Sequence, residues 1–382
     1  LDPRPRPRIL FLYLPTGGGH ASNAKAIGGV LEARYGAQVK IFDPVAAGSE
    51  FGRVFMEDGY RIVSLKAPFI WKAMFRAHEH TPNIKLSQAI AGAMARRGLE
   101  RVLDEYRPDL VVSVHHLLLA ELSRALRSRP GVKAAVVVTD PFVPPRIWAL
   151  GHEYPMLCYS TEAVESLTAM GVPRERLLAY SIIINDKFSR RPSPEERAAA
   201  MRALGLEPDE PFVLIAGGGD GIRGAERILE ELGRSALPFQ LAVVCGRDAL
   251  TKERAEHVAA RLINMGRRTQ VYGFTDKMYE LITGADVVVS KAGPAVLGEV
   301  LAAGKPNMVA YFIPGQEEPN MRWIERMGVG RYCPTPQDAR RAVEEYLSDP
   351  ELRARMAAAI EAVGFKNGLY DIAAALMQKI SG

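Results

Sequence analysis

Residues 8–14 read Arg-Ile-Leu-Phe-Leu-Tyr-Leu and run into Pro15-Thr16-Gly17-Gly18-Gly19-His20, after which 22–35 carries apolar residues at helical spacing. A short unbroken apolar run, a glycine loop and an amphipathic stretch spell strand, turn and helix. The same order returns at Phe212–Ala216, which leads into Gly217-Gly218-Gly219-Asp220-Gly221 and a helix from Ile222. Further strand candidates at 38–42, 109–114, 133–139, 154–160 and 177–184 precede the second loop, and 240–245, 269–274, 286–290 and 307–312 follow it. Helical stretches separate them, the pattern of a parallel α/β sheet covered on both faces, here built twice. The expected division is one domain over 1–190 and a second over 191–382. Asp, Lys, Arg, Ser and Pro cluster at 185–194 as the linker, and the last helix is a candidate to pack back on the first domain.

Composition bounds the class. The 382 residues, 48% apolar and 24% charged, are those of a globular chain, not a disordered one. The longest stretch without Asp, Glu, Lys or Arg, 9–24, is broken by Pro15 and three glycines, so no membrane-spanning helix is expected. Residues 1–8 read as a short basic tail. Cys158, Cys245 and Cys333 are odd in number and set in apolar runs, which points to buried thiols in a reducing compartment. Residues 1–190 hold 25 Lys and Arg against 18 Asp and Glu, whereas 191–382 hold 24 against 26, so the first half is the one suited to an anionic partner. Within it, 51–85 interleaves aromatic and basic residues, Phe69, Trp71, Lys72, Phe75 and Arg76 among them. This stretch reads either as a helical excursion packed on its own domain or as a basic amphipathic surface that meets anionic lipid. No nucleic-acid partner is expected.

Both glycine loops leave a strand and open a helix, where free amides and the helix dipole hold an anion such as phosphate; a tight turn without ligand is the plainer alternative. Neither is a Walker loop, because Gly-Lys-Ser/Thr is missing. Gly219-Asp220-Gly221-Ile222-Arg223-Gly224 matches G-x-G-x-x-G, but no acid ends the following strand, so a nicotinamide-dependent dehydrogenase is a weak alternative. His20 directly after three glycines suits a general base in the crevice. His115-His116 and Thr139-Asp140-Pro141 end two further strands on the same rim. These residues lack the spacing of HExxH, CxxC or a facial triad, and no metal is expected. His78, His80, His152 and His257 read as surface residues.

The densest run is Ser290-Lys291-Ala292-Gly293-Pro294, Glu299, and Ile313-Pro314-Gly315-Gln316-Glu317-Glu318-Pro319-Asn320. Pro294 suits a first helical turn, leaving the amides of Ala295 and its neighbours to face an anion. Glu299 on an apolar helix would accept two ribose hydroxyls, a charged arrangement contributing ~1.5–3 kcal/mol per bond. Gln316, Glu317 and Asn320 supply the mixed donors and acceptors that a polyhydroxy ring requires.

Four stretches, 16–20, 112–115, 290–294 with Glu299, and 312–317 with Asn320, resemble the monogalactosyldiacylglycerol synthase and processive diacylglycerol glucosyltransferase group of glycosyltransferase family 28. A more distant similarity is to the N-acetylglucosaminyl transferase that forms lipid II. The resemblance implies a GT-B fold: two Rossmann-like domains facing across a cleft, with a UDP-sugar on the C-terminal one and diacylglycerol entering from the N-terminal one. It implies uracil near Tyr272-Gly273-Phe274 and the diphosphate on Gly218, Gly219, Asp220, Gly293, Pro294 and Ala295. Ribose would rest on Glu299, and the hexose on Gln316 and Glu317 beside Asn320. His20 would deprotonate the acceptor, with Asp140 as a second catalytic residue and Gly18, Gly19 and His115 on the acceptor side. Inverting transfer without metal or other cofactor, by a peripheral protein on the cytoplasmic face of an anionic membrane, completes the implication. Transfer of N-acetylglucosamine to an undecaprenyl-linked acceptor and a non-catalytic nucleotide-binding module are the rivals. The chain departs from its relatives at Ser181-Ile182-Ile183-Ile184-Asn185, at Asp220 and at Glu318-Pro319.

Overall fold

The computed structural model describes residues 6–15, 18–48, 77 and 80–381. Phe69, Trp71, Lys72, Phe75 and Arg76, like His78, lie outside the described residues. The chain forms two compact units, one from the described parts of 1–183, 313–316 and 368–382, the other from 184–312 and 317–367.

Each unit is built on a six-stranded parallel sheet. The first contains β1 (Arg8–Leu12), β2 (Gln38–Phe42), β3 (Leu110–Ser113), β4 (Lys133–Val138), β5 (Met156–Cys158) and β6 (Leu177–Ala179), in the order β2-β1-β3-β4-β5-β6. The second contains β7 (Phe212–Ala216), β8 (Gln240–Val244), β9 (Thr269–Tyr272), β10 (Val287–Lys291), β11 (Asn307–Tyr311) and β12 (Gly330–Tyr332), in the order β12-β11-β10-β7-β8-β9. The strand order turns back between β1 and β3, and again between β7 and β10. There the loops leaving adjacent strands diverge, and a crevice opens at the carboxyl ends.

Helices α1 (Gly18–Tyr35), α2 (Pro44–Gly48), α3 (Thr81–Tyr106), α4 (Leu119–Leu126) and α5 (Thr161–Ala169) flank the first sheet. Around the second run α6 (Pro194–Ala203), α7 (Ala225–Gly233), α8 (Ala249–Asn264), α9 (Met278–Gly284), α10 (Pro294–Ala302), α11 (Glu318–Arg326), α12 (Pro336–Ser348) and α13 (Pro350–Val363). The chain returns to the first unit with α14 (Leu369–Ser381), which packs on α1. There Arg34 lies 3.8 Å from the Tyr370 ring centroid, and Lys133 Nζ donates to the Ile380 carbonyl at 3.1 Å. Helices on both sheet faces explain why β1, β4 and β7 are apolar runs without alternation: Ile9 to Leu12, Val136 to Val138 and Phe212 to Ala216 are fully buried. Each large side chain among them contributes ~1.5–3 kcal/mol by leaving water.

Helix starts differ in a way that bears on the site. Ser193 caps α6 and Glu196 returns the bond; Thr335 and Asp338 do the same on α12; Ser160, Asp248 and Asp349 cap α5, α8 and α13. Such caps contribute about 1 kcal/mol each. The helices after two strands of the second crevice, α7 and α10, instead have Gly224 and Gly293 at the cap with no side-chain bond. At α7 the amides of Ala225 and Arg227 turn back onto the Ile222 and Gly224 carbonyls, whereas the first-turn amides of α10 are left for another acceptor.

Three expectations need correction. His152 is buried, not at the surface: its Nε2 donates to the Trp148 carbonyl (2.9 Å) and its Nδ1 accepts from Tyr154 N–H (3.2 Å). The first helix begins at Gly18, so two glycines and His20 form its opening turn, whereas the helix of the second loop begins at Ala225, later than Ile222. The edge strand β12 lies outside the expected strands: Gly330-Arg331-Tyr332 has no apolar run, unlike the equally short β5 and β6. The three cysteines are buried free thiols, and burial pushes each up to about 12.

Candidate active site

In the first unit His20 stands at the crevice between β1 and β3. It is 9% exposed, and its Nδ1 lies 2.7 Å from the Val114 carbonyl at the end of β3. A carbonyl only accepts, so Nδ1 carries the proton and Nε2 keeps its lone pair. Thr139 Oγ1, beyond the end of β4, lies 3.2 Å from the same Nδ1. Burial lowers the imidazole to about 4 against the opposing effect of the Val114 bond, so at neutral pH the ring is an uncharged base. Rings continue from there: His115 is 4.6 Å from His20, His116 is 4.5 Å from His115, and Trp148 meets His116 edge-on at 5.2 Å. Trp148 Nε1 donates to Asp140 Oδ2 at 2.6 Å. Asp140 is thereby tied to His20 through three rings in tilted and edge-on contact, while Thr139 makes the direct contact from the end of that strand.

The second crevice is shaped by interlocked glycine loops. A Cβ on Gly221 would collide with Cys245, and one on Gly246 with Gly219; both residues sit at positive φ, 70° and 61°. Arg247 N–H donates to the Gly219 carbonyl at 3.0 Å. The Arg247 guanidinium lies 4.5 Å from the Phe274 ring centroid and 4.0 Å from Asp220 Oδ1. Phe274 is 66% exposed, a flat apolar face held open at the loop that follows β9.

Across the neighbouring strand ends, Lys291 Nζ pairs with Glu317 Oε1 at 2.9 Å, with 20% and 7% of the two side chains exposed. Burial alone would lower Lys291, but the Glu317 carboxylate outweighs it and holds the ammonium above its ordinary range. Gly293 lies against this pair, since a Cβ there would be 3.5 Å from Lys291 Cε and 3.6 Å from Glu317 Oε1. Asn320, buried, donates from Nδ2 to the Ala292 carbonyl at 2.9 Å and so fixes the turn before Gly293-Pro294-Ala295. Glu299 is pushed up to about 7 by burial, partly offset by the backbone N–H of Asn185 that it accepts. Gln316 sits in the turn before α11. Among the described residues, no three His, Cys, Asp or Glu side chains converge as metal ligands, and no helix is long and apolar enough to cross a membrane.

The model of the monogalactosyldiacylglycerol (MGDG) synthase family matches residues 20–184, and that of the glycosyltransferase family 28 C-terminal domain matches 212–373. These matches make the chain a glycosyltransferase that resembles, over most of its length, the MGDG synthase group of family 28. It is 26% identical over 362 residues to the chloroplastic MGDG synthase of Spinacia oleracea, covering 91% of this chain and 67% of that one. To a probable chloroplastic MGDG synthase of Glycine max it is 28% identical over 353 residues, with 89% and 65% covered. This glycosyltransferase therefore spans about two thirds of the length of those plant relatives. Among solved structures it is similar to MurG of Acinetobacter baumannii (TM-score 0.65, 15% identity, 97% and 99% covered). It is also similar to Anabaena Alr3699/HepE in complex with UDP (TM-score 0.59, 15% identity, 98% and 99% covered). At these identities the likeness establishes the fold, GT-B.

On that fold the sequence-predicted residues fall into two groups. His20, His115 and Asp140 gather in the first unit; Gly218, Gly219, Asp220, Phe274, Gly293 to Ala295, Glu299, Glu317 and Asn320 line the strand ends of the second. The Lys291–Glu317 pair and the placement of Arg247 over Phe274 were not anticipated. Both join residues from different strand ends, and the motif strings alone carry no signal of either contact.

Proposed function

We propose that this glycosyltransferase moves a hexose, galactose or glucose, from a UDP-sugar to the free hydroxyl of 1,2-diacylglycerol, with inversion, on an anionic membrane surface. The observation that carries the reading is the buried, neutral His20, with Nδ1–H on Val114 and a lone pair on Nε2 that accepts no hydrogen bond among the described residues. His20 Nε2 takes the hydroxyl proton as the acceptor oxygen bonds to C1 of the hexose. The C1–O bond to UDP breaks and the diphosphate leaves with the electron pair. Positioned base catalysis of this kind contributes ~10²–10⁴-fold in rate.

The donor is assigned to the second crevice. Amides of the Gly218-Gly219-Asp220 loop and of the α10 start, which no side chain caps, would hold the diphosphate and stabilise it as charge builds on departure. Phe274 offers a face for uracil, and Arg247 beside it a cation for the diphosphate. Glu299 would exchange the Asn185 N–H for ribose hydroxyls. Glu317, oriented by Lys291, and Gln316 would take the hexose hydroxyls. The relatives named as MGDG synthases support diacylglycerol as acceptor and galactose as the first sugar to try. Gly18, Gly19 and His115 are assigned to the acceptor side, and Phe69, Trp71, Lys72, Phe75 and Arg76 to the membrane.

The test is turnover on diacylglycerol in mixed micelles with UDP-galactose, UDP-glucose and UDP-N-acetylglucosamine in parallel, following glycolipid and released UDP together. A hexosyl-diacylglycerol from one of the first two donors is the expected product. UDP binding without turnover on diacylglycerol from any donor would overturn the acceptor assignment.

A further inference from the structure

A second charged cluster lies at the amino ends of the strands in the second unit, the edge opposite the glycine loops. Asp286, just before β10, uses one oxygen, Oδ2, to accept both Phe212 N–H and Arg197 Nη2, each at 2.8 Å. Arg197, on α6, places Nη1 on the Pro208 carbonyl at 3.0 Å, and its Nε is buried with no hydrogen-bond partner among the described residues. Lys305 precedes β11 and follows Gly304. The Arg191 guanidinium occupies the space that a Cβ on Gly304 would fill, at a backbone position with φ of 75°.

The charges do not balance. Among the described residues, those acting on Lys305 are one carboxylate, Asp286, and two guanidiniums, Arg197 and Arg191; burial, opposed by Asp286 and reinforced by the two guanidiniums, lowers the ammonium to about 8. Nearby acids are already engaged: Glu196 holds Arg190 and closes the α6 capping box, and Glu195 accepts from Ser193 Oγ. Neither Arg191 nor the Lys305 ammonium makes a hydrogen bond or ion pair among the described residues. The Arg191 guanidinium fork and the Lys305 ammonium, both with unused donors, beside the unpartnered Nε–H of Arg197, are the set that grips a tetrahedral oxyanion from several sides.

We propose that Arg191, Arg197 and Lys305 form a binding site for a phosphate-type oxyanion on the second unit, separate from the donor crevice. The ligand is either free phosphate or the phosphate of a lipid headgroup. Both present the same chemistry to the cluster, and the donor reading above is not needed for either.

The test uses the full chain and the variant Arg191→Gln, which loses no hydrogen bond and so keeps the fold, with Lys305→Gln as a second variant. Inorganic phosphate is titrated at constant ionic strength, by calorimetry and by its effect on Tm, alongside UDP. The wild type is expected to show a saturable rise in Tm, and each variant a loss of phosphate affinity of at least ~10-fold, about 1.4 kcal/mol, with UDP affinity unchanged. Flotation with phosphatidylglycerol and phosphatidylcholine vesicles distinguishes the sources. Phosphatidylglycerol binding that Arg191→Gln abolishes assigns a lipid headgroup; phosphate binding that it abolishes with vesicle binding intact assigns a soluble anion. An equal phosphate response in wild type and Arg191→Gln, or the same Tm rise from chloride, would overturn the site. So would a matching fall in UDP affinity, which would merge it with the donor crevice.

Discussion

His20 Nδ1 lies 2.7 Å from the carbonyl oxygen of Val114, a residue 94 positions later in the chain. That one bond selects the tautomer, orients the ring and leaves Nε2 as the basic atom. Replacing His20 with Ala is expected to cut transfer by ~10²–10⁴-fold while UDP affinity stays within a few-fold. Loss of UDP binding in that variant would move His20 to the donor side. Because burial lowers the imidazole to about 4, the acid limb of kcat/KM should fall near pH 4 rather than 6.5. The same shift affects stability: the folded state binds the proton less readily than the unfolded one, so stability is lost as pH falls from 6.5 towards 4, by about 3 kcal/mol from this group. Unfolding midpoints in urea at pH 7 and pH 5 give the check.

Glu299 behaves with the opposite sign. Burial raises its carboxyl from 4.5 to about 7, so its neutral form favours folding below pH 4.5 and that contribution is lost as pH rises through 7. Glu299→Gln keeps an acceptor for Asn185 N–H without the buried charge. Thermal unfolding at pH 8 should show the variant with the higher Tm. UDP affinity should fall ~10-fold or more, as expected for losing a charged acceptor to ribose. An unchanged UDP affinity would remove Glu299 from the ribose.

The Lys291–Glu317 pair is expected to resist single substitution. Glu317→Ala leaves a largely buried ammonium without its partner and should destabilise the chain by ~3–5 kcal/mol. Lys291→Met combined with Glu317→Leu should recover most of that stability in denaturant titrations yet remain inactive. Recovery of transfer in the double variant would show that the pair is structural alone.

Gly293 separates folding from function. A Cβ there meets Lys291 and Glu317 at ordinary contact distances, 3.5 and 3.6 Å, and φ is −73°. Gly293→Ala should therefore change stability by less than about 0.5 kcal/mol. Its methyl group would stand over the uncapped start of α10, where the diphosphate is assigned, and UDP affinity measured by calorimetry should drop ~10-fold. Unaltered affinity would place the diphosphate elsewhere.

The two parallel sheets, the glycine turns, the strand ends that precede His20, His115, Asp140 and Glu317 and the helix that bears Glu299 are legible in the chain itself. Unbroken apolar runs, helical spacing and glycine clusters are local signals, and covering a sheet on both faces follows from them. β12 and buried His152 leave no trace there, because Gly330-Arg331-Tyr332 has no apolar run and the burial of one histidine follows from its tertiary neighbours. What only the tertiary structure decided are the pairings across strand ends: Val114 with His20, Lys291 with Glu317, Arg247 over Phe274, and Arg191 in the space above Gly304. Each joins residues brought together by strand order and loop path, which periodicity does not encode. The burial that makes His20 a neutral base and raises Glu299 likewise exists only once the sheets and helices have closed around them.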